Sequence, residues 1–205
     1  MGALSEEVLS ALQEAAPADL QRVADRRWIG ETAKGIRKIL EFEALKGAQY
    51  SARWGFSVDF VPRVQGKRLS WKRTPATATF DLCIDPIDVE GRVPDWCSFT
   101  SDASASGIKK IARAVREQAS LDLLRVDTLH DLRELFQQRA TMKFRRFGPE
   151  NYVQTDLAWG MLQLATGEVQ GGDARIAAFC EHFDVDPAAT ILMKAKQEAF
   201  QQHAR

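Results

Sequence analysis

Cysteine is scarce, with Cys83, Cys97 and Cys180 making an odd number and no CxxC pair. That excludes a disulfide scaffold and a cysteine-built zinc centre, and thiols acting as small apolar residues in a reduced compartment fit best. Histidine is equally sparse: His130, His182 and His203 stand far apart, without HExxH or His-x-His spacing, so no metal site is expected. Net charge is missing too. The 28 Lys and Arg balance 28 Asp and Glu, and bulk charge therefore names no partner. Nowhere do about eighteen apolar residues run together, the length a membrane-spanning helix needs. Met1 to Glu7 is acidic where a signal peptide is basic, and Glu6 stands where a myristoylation signal needs Ser or Thr. The expectation is a cytoplasmic protein with no membrane partner.

What is present is ordinary globular composition. The chain has 205 residues, 45% of them apolar and 27% charged, enough to bury roughly 70% of the surface its unfolded form exposes. Residues 4–15 place Leu4, Val8 and Leu12 at helical steps before Pro17. A second helical pattern covers about 28–46, through Ile29, Ala33, Ile36, Leu40 and Ala44, with Ile39 and Phe42 widening the stripe and Gly47 as a stop.

From Tyr50 to Phe60 the period changes to two. Tyr50, Ala52, Trp54, Phe56, Val58 and Phe60 alternate with Ser51, Arg53, Gly55, Ser57 and Asp59, which predicts a strand with one buried face. Pro62 closes it. Gln65-Gly66-Lys67 supplies a turn before a shorter strand with Leu69 and Trp71, and Thr74-Pro75 supplies another before Phe80, Leu82 and Ile84. The expected sheet is an antiparallel meander over about 49–61, 68–73 and 78–85, with a candidate fourth strand at 96–100. Helices are expected over its apolar face, leaving Arg53, Asp59, Arg68, Lys72, Asp81 and Asp85 to water or a partner.

The helical period then returns. Ile108, Ile111, Ala112, Val115 and Ala119 line one face, reaching toward Leu123. Thr128-Leu129-His130-Asp131 reads as a capping box with Asp in place of Glu. Further helices are expected over 153–165, after Gly171-Gly172-Asp173, and after Asp186-Pro187. The fold class is α+β, with an α+β domain over 1–148 and a helical C-terminal region over 149–205 packed on the same core. Its layout resembles that of small bacterial proteins, some toxin-immunity proteins among them, an analogy of fold alone.

Chemistry-bearing motifs are few. There is no GxSxG, SxxK or Walker spacing, and no cofactor motif. Asp85-Pro86-Ile87-Asp88-Val89-Glu90 lacks EF-hand spacing and reads as a solvated acidic loop. Asp81 and Asp85 lie about 13 Å apart along a strand, too far for a dyad. Five Trp and eleven Phe read as core, with Trp28 and Trp96 at element ends as pocket candidates. An enzyme site would have to assemble from distant residues such as His130, Asp81, Asp85 and Ser104.

Charge is segregated, however. Residues 104–146 carry ten basic and five acidic side chains, whereas 150–205 carry four basic and eight acidic. Lys109, Arg113 and Arg116 share a helix face opposite the apolar stripe, Lys110 adjoins it, and Lys143, Arg145 and Arg146 interleave with Phe144 and Phe147. These seven basic residues are the candidate binding residues. A protein partner is the first expectation, so the chain reads as a non-catalytic interaction module. An anion at the start of the helix, or single-stranded nucleic acid on the basic–aromatic run, are the alternatives.

Overall fold

The computed structural model describes residues 6–31, 35–45, 49–71, 74–84, 98–100, 105–141 and 155–203, with the side chains of 6–8, 43–45, 49–51, 98–100, 105–108, 110, 139–141 and 155 left out. In chain order the elements are α1 (Glu6–Ala15), β1 (Gln21–Ala24), β2 (Arg27–Glu31), β3 (Ile36–Leu45), β4 (Gln49–Val58), β5 (Arg63–Gln65), β6 (Arg68–Ser70), β7 (Leu82–Ile84) and β8 (Ser98–Thr100). The helices α2 (Ala105–Ala114), a π turn (Val115–Ala119), α3 (Ser120–Leu124), α4 (Leu129–Thr141), α5 (Thr155–Ala165), α6 (Val169–Phe183) and α7 (Thr190–His203) follow. The class is α+β, with an antiparallel meander and C-terminal helices.

Two compact units share the chain: Met1–Glu31, Arg37–Phe56 and Cys83–Arg125 form the first, and Thr32–Ile36, Ser57–Leu82 and Val126–Arg205 the second. The first is built on a sheet of order β1-β2-β3-β4-β7, with β8 also paired to β4. Its membership corrects one expectation. The helix anticipated over 28–46 is instead the β2–β3 pair, in which Trp28 faces Leu40, Ile29 faces Ile39 and Glu31 faces Arg37. Ile36, Ile39, Leu40 and Phe42 are all buried, so both sides of β3 are covered and the period-two signal is lost. The apolar residues left behind happened to fit a 3.6 period.

On the apolar face of this sheet Trp28 and Trp54 are both 0% exposed. A buried indole N–H left unpaired costs about 1–3 kcal/mol, and each is paired to a helix. Trp28 Nε1 donates to Gln13 Oε1 of α1 at 2.7 Å, and Trp54 Nε1 donates to Asp122 Oδ2 of α3 at 2.8 Å. The two tryptophans thus dock α1 and the α2–α3 helix on the sheet. α1 itself packs on α2, and Trp28 also meets Phe42 edge-on at 5.5 Å. Trp28 is core. Lys38, on the same face, is 5% exposed and reaches Asp19 Oδ2 at 3.3 Å.

The opposite face is not the open charged surface anticipated. Glu41 Oε1 accepts from Arg27 Nη1 at 2.7 Å, while Glu41 Oε2 accepts from Arg53 Nη2 at 2.7 Å and Nε at 3.0 Å. Three neighbouring strands are laced by one carboxylate between two guanidiniums, with Ile29 and Ile39 buried beside them. Burial holds the Arg27 guanidinium below its ordinary range; the Glu41 charge opposes this and the Arg53 charge adds to it. Opposite-charge pairs facing across strands stabilise the pairing.

In the second unit, among the described residues, β5 and β6 pair only with each other, through a turn at Gly66 with φ 58°. Expected strand 68–73 is therefore a hairpin arm rather than part of the meander. Lys67 at its tip pairs with Asp184, whose carboxyl is held below its usual range by the hydrogen bond and charge of that lysine. Helix α7 packs on β6, and Lys194 lies over the Trp71 ring at 5.4 Å. Asp81 is corrected too: it is 1% exposed, not solvated, and its Oδ2 accepts from the Val58 N–H at 2.7 Å.

The anticipated capping box starts α4. Asp131 N–H donates to Thr128 Oγ1 at 3.2 Å, and Thr128 N–H donates to Asp131 Oδ2 at 2.8 Å. Helix α6 begins at Val169, so Gly171 and Gly172 lie inside it rather than opening it. The reason is a close helix crossing. A Cβ on Gly172 would sit 2.7 Å from the Gly160 carbonyl oxygen of α5, and one on Gly160 would sit 2.9 Å from the Gly172 oxygen. Helix α7 starts at Thr190, after a turn in which Asp186 Oδ1 accepts from the Ala188 N–H at 2.8 Å.

Candidate interaction surface

The helical run 105–124 is held to its unit by one face. Ile111, Ala112, Ala114, Val115, Ala119 and Leu123 are buried, and the hydrogen bond from Trp54 to Asp122 fixes the rotation of its last turn. The π turn sets which residues face outward. At about 100° per residue, Leu121 would lie about 120° round from Lys109 in an unbroken α-helix. The wide turn at 115–119 absorbs one extra residue and brings Leu121 back to about 20°, with Leu124 at about −40°. Lys109, Arg113, Arg116, Leu121 and Leu124 consequently share one outward face.

All five side chains on this strip are exposed. Leu121 and Leu124 are 63% and 60% exposed, more than any other large apolar side chain among the described residues. Lys109, Arg113 and Arg116 take part in no ion pair among the described residues. Glu117 is the one acidic group on the strip. The result is a basic half followed by an apolar half along about 22 Å of helix.

Of the anticipated binding residues, Lys109, Arg113 and Arg116 are thus brought together. Lys110 belongs to α2, but its side chain lies outside the described residues, as do Lys143, Arg145 and Arg146 altogether. Leu121 and Leu124 were missed from the sequence. The available signal was the buried four-residue step Val115, Ala119, Leu123, which leaves both leucines off the inner face.

Of the residues considered for catalysis, Asp81 is engaged by the Val58 amide and His130 is exposed on the first turn of α4, while Asp85 and Ser104 lie outside the described residues, as does the pocket candidate Trp96. Cys83 and Cys180 are buried free thiols. Burial, with a smaller contribution from the Asp186 charge, pushes the Cys180 thiol up despite Lys196, which makes it a poor nucleophile. Among the described residues no group of three or more His, Cys, Asp or Glu side chains could hold a metal ion. No helix among them is long and apolar enough to cross a membrane. Comparison with protein-family models, with curated proteins and with solved structures finds no significant match.

Proposed function

We propose that the chain is a non-catalytic protein-interaction module and that the outward face of residues 109–124 is its contact surface. The observation that carries this reading is the exposure of Leu121 and Leu124, in line with three exposed basic side chains that form no ion pair among the described residues. Isolated surface leucines need no explanation. Two of them one turn apart, both over half exposed and placed there by a rare π turn, form a small apolar centre with a charged flank. Protein interfaces combine these features, an apolar centre and a polar rim.

Phosphate binding would need the basic half alone and would leave the leucines without a role. Site-specific photocrosslinking tests the reading. A benzoylphenylalanine at position 121 is expected to give one discrete protein adduct in cells, abolished by Arg113→Glu, with none from position 134 on α4. No adduct at 121, or equal adducts at both positions, refutes it.

A further inference from the structure

We infer that the partner presents an acidic, leucine-bearing α-helix that lies along the 109–124 strip; this rests on the interaction reading above and gives it a chemical class. The strip runs along one side of the helix because the π turn keeps Leu121 and Leu124 in phase with Lys109 and Arg113. A ridge along one side of a helix is matched by another helix, whose side chains recur on the same pitch. Charge fixes the composition of the partner. Lys109, Arg113 and Arg116 are exposed cations without ion pairs among the described residues, and Glu117 is their only acidic neighbour on the strip.

Asp or Glu side chains are therefore required opposite residues 109–116, and aliphatic side chains opposite 121–124. The centres of the two patches are about ten residues apart, or about 15 Å along the helix. The partner helix must carry its acidic and aliphatic clusters at the same spacing, on one face. A second copy of this strip would bring basic side chains against basic side chains in parallel alignment, and basic against leucine in antiparallel alignment. Neither is complementary.

The test uses the full chain and a helix-biased library of displayed 20-residue peptides. The library is first depleted on the Arg113→Glu/Leu121→Asp double variant, whose two changes are at exposed positions and whose fold is checked by circular dichroism beforehand. The expected survivors carry two or more Asp or Glu about ten residues from a pair of aliphatic residues spaced three or four apart. Their affinity is expected to fall about 30-fold or more for Leu121→Asp. It should also fall as NaCl is raised from 50 to 300 mM. Survivors that bind the strip without acidic residues overturn the helix chemistry and leave the interaction reading standing. No survivors over the depleted background overturn both. Tight binding of a 20-nucleotide single strand, abolished by Arg113→Glu and indifferent to Leu121→Asp, assigns the strip to nucleic acid and also overturns the inference.

Discussion

Gly171 and Gly172 are neighbours on α6, and a methyl group on each has opposite consequences. Replacing glycine by alanine inside a helix favours the helix by about 1 kcal/mol. At Gly171 that gain is nearly free. The residue is exposed, and the new Cβ meets only the end of the Gln163 side chain, at 2.8 Å from Nε2, which can swing away. Gly171→Ala is therefore expected to stabilise by about 0.5–1 kcal/mol, less whatever the Gln163 hydrogen bond to Glu168 contributes.

At Gly172 the Cβ would lie 2.7 Å from the Gly160 carbonyl oxygen and 2.8 Å from Leu164 Cδ2. The carbonyl belongs to the backbone of α5 and cannot turn aside, so the helices must part by about half an ångström. A gap of that size forfeits about a quarter of the dispersion energy along the contact. Overpacking of this kind costs about 1–3 kcal/mol; set against the propensity gain, Gly172→Ala is expected to destabilise by up to about 2 kcal/mol. Urea unfolding of the two variants, followed by tryptophan fluorescence, measures both signs. Stabilisation of similar size by both alanines would refute the close α5–α6 crossing.

Three further outcomes are expected. Asp131→Ala removes the carboxylate of the capping box and should cost about 1 kcal/mol at pH 7. Burial raises the Asp131 carboxyl, but the hydrogen bonds from Thr128 and Asp127 and the His130 charge outweigh it, so its folded value lies below the ordinary one. The stabilisation is thus complete above the ordinary value of about 3.9 and fades as pH falls through the lower folded value. The gap between parent and variant should hold from pH 7 to about pH 5 and close in stronger acid. Glu41→Gln leaves Arg27 and Arg53 facing each other with side chains 14% and 34% exposed, and should cost about 2–4 kcal/mol in urea unfolding. Leu121→Asp and Leu124→Asp should each shift stability by no more than about 0.5 kcal/mol, since both side chains are exposed; a larger loss would mean that they are packed.

Strand β4 was legible because one face of it is apolar at every even position from Ala52 to Val58, and the capping box because Thr128 and Asp131 carry their partners within one turn. Strands β2 and β3 were not legible. Burial of Ile39 as well as Leu40 erases alternation, and the same residues fit a helix as well as a strand. The overlooked cue was Gly35, whose φ of 71° interrupts any helix through that region. Asp81 was misplaced because a carboxylate among alternating residues reads as solvated. Only the fold shows that the Val58 amide needs an acceptor there. Of the interaction strip, the basic residues were visible as a helical face. The leucines were not, because their phase depends on a single extra residue accommodated at 115–119.

The most direct measurement is thiol accessibility at position 124. In a chain with Cys97 replaced by serine, Leu124→Cys should react readily with a maleimide in the purified protein, where Cys83 and Cys180 are buried. In intact cells the same thiol is expected to be protected at least several-fold, while a control Glu134→Cys reacts equally in both settings. Equal labelling of position 124 inside and outside the cell would contradict a partner on this face.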